Sequence, residues 1–420
     1  MKNNMKKRKL DNSAKIFPIM SSKKYSSVFR ISVRLNEIID EKALQKATQK
    51  ALRVFRSFQV KLKKGFFWYY YAPNEKEPMI KKEELYPCKY IDPEENNDYL
   101  FKVTYQENKI NLDIFHALTD GNSGLHFLKE IVYQYLDIMH KECFTSEMRA
   151  ERKIHYTTED SYIKHYDKRL PGNSSSHKAY ILQGEKYKNP EVGITYEKIN
   201  VEQLRKKAKE KGSTVTQYLT AILIYSIYQA NYLKYKGKKP IKVCIPVDLK
   251  KYFKSETINN FFSYITVVIN INKNKSYTFE EILTDVQKEF KKKLTEQEVK
   301  KTMSANVKLG KNIFIASIPL FLKKALVKLS YIEIRKYTTI TFSNIGRIGI
   351  IGKYNNFIED FMLLIAPEQV EKIKCSACSY NNQLIFTFTS TLKDTAIEEK
   401  FYHVLKEQNI QVEIEKIMPT

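Results

Sequence analysis

Cysteine is scarce, with five in 420 residues, too few and too irregularly spaced for a disulfide framework. Only Cys375 and Cys378 stand in a Cys-x-x-Cys spacing, and the next histidine along the chain is His403. No second pair completes a zinc site. The stretch "KIKCSACSYNNQLIFTFTS" alternates about an Asn-Asn turn as a hairpin does, so no metal is expected. Glycine and proline number 12 each, which excludes collagen-like and low-complexity chains. Long apolar runs are also missing. "TAILIYSIY" (220–228) and "FIASIPLFL" (314–322) are too short to span a bilayer, and the second holds a proline. The basic start "MKNNMKKRKLDNSAK" leads into no apolar leader segment. These absences predict a cytoplasmic protein with at most peripheral membrane contact, and a flexible basic tail over residues 1–14.

Acidic charge is in short supply: 72 Lys and Arg face 47 Asp and Glu, for a net charge of +25. Such a surface favours anionic partners, among them a phosphorylated cofactor or an acidic carrier protein. The lysines are dispersed and come with no zinc finger, RNP signature or basic zipper, so nucleic acid is not the expected ligand.

What the chain does have is alternating strand and helix patterns. "SSVFRISVRL" (26–35) reads as a strand and "DEKALQKATQKALRVF" (40–55) as a helix with an acidic start. Residues 55–72 and 99–116 read as strand pairs, and 123–137 as a helix. In the second half, 201–212 forms a basic helix closed by Gly212. Thr214-x-x-Gln217 then makes a capping box for a helix running to about Tyr235. Strands follow at 241–249, 263–271 and 338–346, with a hairpin at 372–390 and a terminal helix near 395–407. The fold class is α/β, with two similar lobes that each hold a mixed sheet flanked by helices. The first lobe is expected at 15–170 and the second at 181–420. A linker over 171–180 begins within the turn-rich "RLPGNSSSHK" (169–178).

Within "KINLDIFH", Ile110, Leu112, Ile114 and His116 share one strand face because side chains alternate. His116 should therefore point inward at a strand end, where partial desolvation suits a general base. Four residues later, Asp120 and Gly121 lead into a helix. The aspartate either orients the imidazole or pairs with a basic side chain and holds the loop. On spacing alone, a hydrogen-bonded core histidine beside an Asp-Gly turn is the simpler reading. Histidines 126, 140, 155, 165, 177 and 403 read as surface or packing residues.

"HALTDG" resembles the His-x-x-x-Asp-Gly signature of the chloramphenicol-acetyltransferase-like acyltransferase superfamily. That superfamily includes bacterial alcohol acetyltransferase-like proteins and condensation domains. "KEKGSTVTQYLTAIL" (209–223) is similar to the helix that opens the second lobe of these proteins. "IPVDLKKYFKSETINNFFSYI" (245–265) resembles their Pro-Val-Asp-Leu-Arg loop followed by Asn-Phe-Phe. "IPLFLKKALVKLSY" (318–331) and "FSNIGRIGI" (342–350) resemble later blocks of the alcohol acetyltransferase-like branch, so the resemblance runs through most of the chain in order. Two departures stand out. Lys250 occupies the position of an arginine thought to bridge the motif aspartate, and lysine lacks its two-pronged geometry. Phe115 replaces the first histidine of condensation domains.

Competing motifs fail. "GRIGIIGK" (346–353) has five residues between its glycines and Tyr354 after the lysine, so it is no Walker loop. There is no HExxH and no Gly-x-Ser-x-Gly elbow. The resemblance implies direct acyl transfer from acyl-CoA, as co-substrate, to a small hydroxyl-bearing acceptor in an interlobe tunnel. His116 would be the base, with no bound cofactor. Asp120, Gly121 and Lys250 would be structural, Asp120 pairing with Lys250 or a neighbouring cation. Ser343 or Asn344 are candidates for contacts to the oxyanion or substrate. A monomer is expected. An acidic acyl-carrier protein is the alternative donor, and a binding-only role ranks third.

Overall fold

The computed structural model describes residues 7–23, 25–83, 86–152, 155–171, 177–188, 191–272, 274–368 and 370–419. Among the described residues, three sheets organise the fold. A five-stranded sheet runs in the order Ile358–Ile365, Val28–Leu35, Lys109–Phe115, Phe101–Gln106, Ile80–Lys82. A seven-stranded sheet runs Phe262–Ile269, Ile241–Asp248, Ile340–Arg347, Ile373–Tyr380, Gln383–Ser390, Gly193–Asn200, Val412–Ile417. Both mix parallel and antiparallel neighbours. A small third sheet joins Arg8–Lys9, Tyr69–Pro73 and Val60–Lys64.

Helices form where the patterns place them. Asp40 caps Glu41–Val54 by accepting from the Ala43 N–H, and this helix packs against Gly121–Met139. The Thr214–Gln217 capping box is present, but its helix, Val215–Ile227, passes into a wider π turn over Tyr228–Tyr232. Gly212 takes a left-handed conformation, φ +63°, as a helix-terminating glycine does.

The strand Ile373–Tyr380 is buried on both faces. Cys375 belongs to the core between the large sheet and its own helices, and Cys378 to the core shared with the first sheet. The two thiols stand three residues apart on one strand and therefore face opposite ways.

One strand departs from chain order: Ile358–Ile365, from the second half, pairs antiparallel with Val28–Leu35 in the first sheet. The second half thus completes the first lobe, and a division near 171–180 does not describe this strand. Of that linker, residues 172–176 lie outside the described residues. Ala179 and Tyr180 are buried, their N–H groups donating to the Lys336 and Pro240 carbonyls.

The expected tail needs correction over residues 8–14. Arg8–Lys9 forms a strand against Tyr70 and Tyr71, and Leu10, Asp11 and Ala14 are buried. The basic character of this stretch does not keep it in water, because Lys9 stays exposed while Arg8 is satisfied locally. The Arg8 guanidinium lies over the Tyr71 ring, 4.7 Å from its centroid, and donates to Asn259 Oδ1 at 3.1 Å. Leu10 and Ala14 meanwhile fill the first core.

Candidate active site

The strand Lys109–Phe115 ends one residue before His116. Both of its faces are buried, not one. Asn111 and Asp113 lie inside with Ile110, Leu112 and Ile114, and Asp113 is held by the Arg30 guanidinium at 2.5 Å. His116 is half-buried among aromatic rings. Phe17 stacks on it at 4.5 Å between centroids, Phe29 meets it edge-on at 5.2 Å, and Phe262 lies at 5.3 Å. Burial pushes the imidazole below its usual pKa, against smaller opposing contributions from the Asp120 charge and the Asn260 hydrogen bond. The ring is therefore neutral at pH 7.

Its tautomer follows from Asn260, whose Oδ1 lies 3.0 Å from His116 Nδ1. The other end of the same amide, Nδ2, contacts two acceptors, Asp11 Oδ2 at 3.2 Å and the His116 carbonyl at 3.1 Å. That fixes Nδ2 as the donor and Oδ1 as the acceptor, so Nδ1 carries the ring proton. Nε2 is left with its lone pair, the form a general base requires.

The motif loop is tied to residues 258–262 at further points. Thr119 Oγ1 donates to the Ile258 carbonyl at 2.5 Å, and the Phe261 N–H donates to Asp120 Oδ2 at 3.0 Å. Asp120 Oδ1 accepts from the Ser123 N–H at 3.0 Å and caps the helix Gly121–Met139. Because Phe262 opens an edge strand of the large sheet, these bonds join the two lobes at His116.

The expected pairing of Asp120 with a cation is corrected here. Lys250 Nζ donates to Ser123 Oγ at 3.0 Å, one helical turn into the capped helix. The carboxylate is satisfied by two backbone N–H groups, which take the place of the two prongs of an arginine. Asp248, in the same loop, accepts from Asn122 Nδ2 at 2.9 Å and from the Lys250 N–H at 3.0 Å.

Gly121 is not forced by crowding, since a Cβ there would meet only Ile345 Cγ2, at 3.6 Å. Gly124 is the tighter position: a Cβ would lie 2.5 Å from the terminal Ile114 Cδ1, and that side chain would have to shift. The Ile345 contact also brings the strand Ile340–Arg347, with Ser343 and Asn344, beside the start of the motif helix. Asn344 is engaged elsewhere, its Nδ2 donating to Thr216 Oγ1 at 3.2 Å and its Oδ1 accepting from the Gly346 N–H at 2.8 Å. Neither residue hydrogen-bonds His116.

Three residues at this site escape the reading from sequence: Asn260, Asp11 and Phe17. Asn260 lies inside a block singled out for resemblance, but no spacing signal links it to a histidine 144 residues away. Asp11 and Phe17 sit in and beside a stretch that composition marks as a tail. Among the described residues, no group of three or more His, Cys, Asp or Glu could hold a metal ion. No helix among them is long and apolar enough to cross a membrane.

Residues 167–362 match the family model described as alcohol acetyltransferase. This segment includes Lys250, Asn260 and Ser343 but stops short of His116. No curated protein matches the sequence. The fold is similar to that of polyketide synthase associated protein 5 from Mycobacterium tuberculosis, with a TM-score of 0.60 and 15% identity over 95% of this chain and 97% of that one. It is similar as well to TRI101 of F. sporotrichioides, solved with coenzyme A and T-2, at 0.60 and 11% over 97% and 99%. A third similar structure is the starter condensation domain of rhizomide synthetase, at 0.52 and 10% over 96% of this chain and 97% of that one. Residues 167–362 are thus similar to alcohol acetyltransferases, and the chain as a whole shares the two-lobed fold of these solved structures.

Proposed function

We propose that the protein transfers an acyl group, most simply acetyl, from acyl-CoA to a hydroxyl acceptor, with His116 as general base. The observation that carries this reading is the neutral imidazole whose Nδ1–H is committed to Asn260, leaving Nε2 free to accept. The acceptor and the donor thioester enter an interlobe tunnel and meet at Nε2. His116 takes the hydroxyl proton as the oxygen forms a bond to the thioester carbonyl carbon. The tetrahedral intermediate then collapses, the C–S bond breaks, and the imidazolium returns the proton to the departing thiolate. The aromatic surroundings favour this cycle, since a desolvated imidazolium gives up its proton readily.

The oxyanion requires a donor. Ser343 is our candidate because its strand adjoins the motif helix and its neighbour Asn344 is already engaged. Asp120, Gly121 and Lys250 serve the loop and not the chemistry. The excess of basic side chains suits the phosphates of CoA, and TRI101, which shares the fold, was solved with coenzyme A bound.

Donor choice tests the proposal. Thiol release from acetyl-CoA should depend on added alcohol or sugar-like acceptor. If free acetyl-CoA neither binds nor reacts at millimolar concentration while the same acyl group on a phosphopantetheinyl carrier protein does, the acyl-CoA reading is wrong.

A further inference from the structure

The helix Leu320–Arg335 is built inside out for a helix in water. Lys323 is buried, its Nζ donating to the Phe67 and Ala316 carbonyls and lying 3.5 Å from the centroid of the Trp68 ring. Leu322, Leu326 and Leu329, which share the face turned away from Leu320, Val327 and Tyr331, are 49%, 52% and 70% exposed. The apolar face continues beyond the helix. Phe321 is exposed in its first turn, and the Leu320 N–H donates to the carbonyl of Phe66, itself exposed at the tip of the Val60–Pro73 hairpin. Scattered exposed leucines need no explanation, but a contiguous face of this kind marks an interaction surface.

Charge selects the occupant. Residues 299–332 contain no Asp or Glu, and neither do residues 57–74. Exposed Lys328 borders the leucines, and exposed Lys63 and Lys64 stand beside Phe66. A second copy would bring the same lysines and the same net charge of +25 against this face, which disfavours pairing like with like. Glu333 lies on the leucine face, but its carboxylate is held by Lys178 Nζ at 2.6 Å and Lys336 Nζ at 2.7 Å. An apolar face edged by lysines, its one helical acid paired, suits one surface chemically: anionic headgroups above acyl chains.

We propose that Leu320–Arg335 and the tip of the 60–73 hairpin form a docking face for an anionic phospholipid bilayer. The protein would lie on the surface with the leucines and phenylalanines in the headgroup boundary and the lysines on lipid phosphates. The short helix Phe17–Met20 packs against Leu320–Arg335, and Phe17 stacks on His116. The docked face would therefore lie one short helix away from the candidate base. The proposal does not depend on the chemistry assigned to that base.

The test is co-sedimentation of the full chain with vesicles of phosphatidylcholine alone and of phosphatidylcholine with one third phosphatidylglycerol. Fluorescence of Trp68, the only tryptophan in the chain, supplies a second readout. Binding is expected on the anionic vesicles, with a blue shift, and half-molar salt should weaken it. A Leu322→Ser/Leu326→Ser/Leu329→Ser variant should bind ~tenfold or more weakly. Lys63→Gln/Lys64→Gln/Lys328→Gln should lose the preference for anionic lipid. Unchanged circular dichroism and melting would show that these variants fold. If the leucine variant does not fold, Phe66→Ser/Phe321→Ser replaces it. The proposal is overturned by no binding to anionic vesicles, by equal binding to neutral ones, or by binding that survives loss of the apolar side chains. A concentration-dependent dimer abolished by the same variants would assign the face to a second copy and also overturn it.

Discussion

His116 and Asn260 lie 144 residues apart in the chain and meet at 3.0 Å, with the ring Nδ1–H donating to the amide oxygen. The amide cannot turn over without setting its N–H groups against Nδ1–H and its oxygen against the Asp11 carboxylate. Asn260 is thus a positioning residue. Asn260→Ala should lower kcat by up to ~10²-fold, within the range set by loss of the base itself, and leave KM for the thioester little changed. Nitrogen NMR of the labelled ring should find Nδ1 protonated in the wild type and a tautomer mixture in the variant. A wild-type ring protonated at Nε2 would contradict this assignment.

Asp120 acts through backbone N–H groups, so its conservative variant should be felt in the fold as well as in activity. Asn offers one acceptor where Asp offers two, and either the Ser123 cap or the Phe261 bond is lost. Asp120→Asn should cost ~1–2 kcal/mol of stability, read by denaturant melting, together with activity. Lys250→Met should cost much less, because Lys250 reaches only Ser123 Oγ. Equal losses in the two variants would restore a direct Asp120–Lys250 ion pair.

These two residues also mark how far the sequence is legible. Element positions follow from hydrophobic period and caps, and Asp40 and Thr214 cap the helices their spacing predicts. His116 is legible because a strand's alternation carries to its end. Asn260 is not, since partner choice across 144 residues is decided by which lobe edges meet. Residues 8–14 are misread for a related reason: composition reports the lysines but not the Tyr71 ring that accommodates Arg8. The strand Ile358–Ile365 is legible as a strand, yet nothing in its pattern says which sheet it joins.

Asp11 gives a pH signature. Burial pushes its carboxyl up to about 7 from an ordinary 3.8. Between those values the folded chain holds a proton that the unfolded chain releases, so this group makes stability fall as pH rises from about 4 to about 7 and level off above. Asp11→Ala removes that contribution. The stability lost in the variant, measured by denaturant melting, should be smaller above pH ~7 than near pH ~5. A difference independent of pH would contradict the assignment.

Ser343→Ala tests the proposed oxyanion donor. Loss of one such donor typically lowers kcat by ~10²–10³-fold with little change in substrate binding. Asn344→Ala removes the bonds to Thr216 and Gly346 and should lower stability as well. If Ser343→Ala keeps full kcat, the donor lies elsewhere.

The central claim is that His116 Nε2 removes the acceptor's proton. The direct measurement is acceptor-dependent release of thiol from acetyl-CoA by the wild type and by His116→Ala, followed across pH. The account predicts a fall of ~10²–10⁴-fold in the variant. It also predicts a wild-type acid limb below the ordinary imidazole value of 6.5, because burial depresses this ring. Undiminished acceptor-dependent turnover in His116→Ala would contradict it.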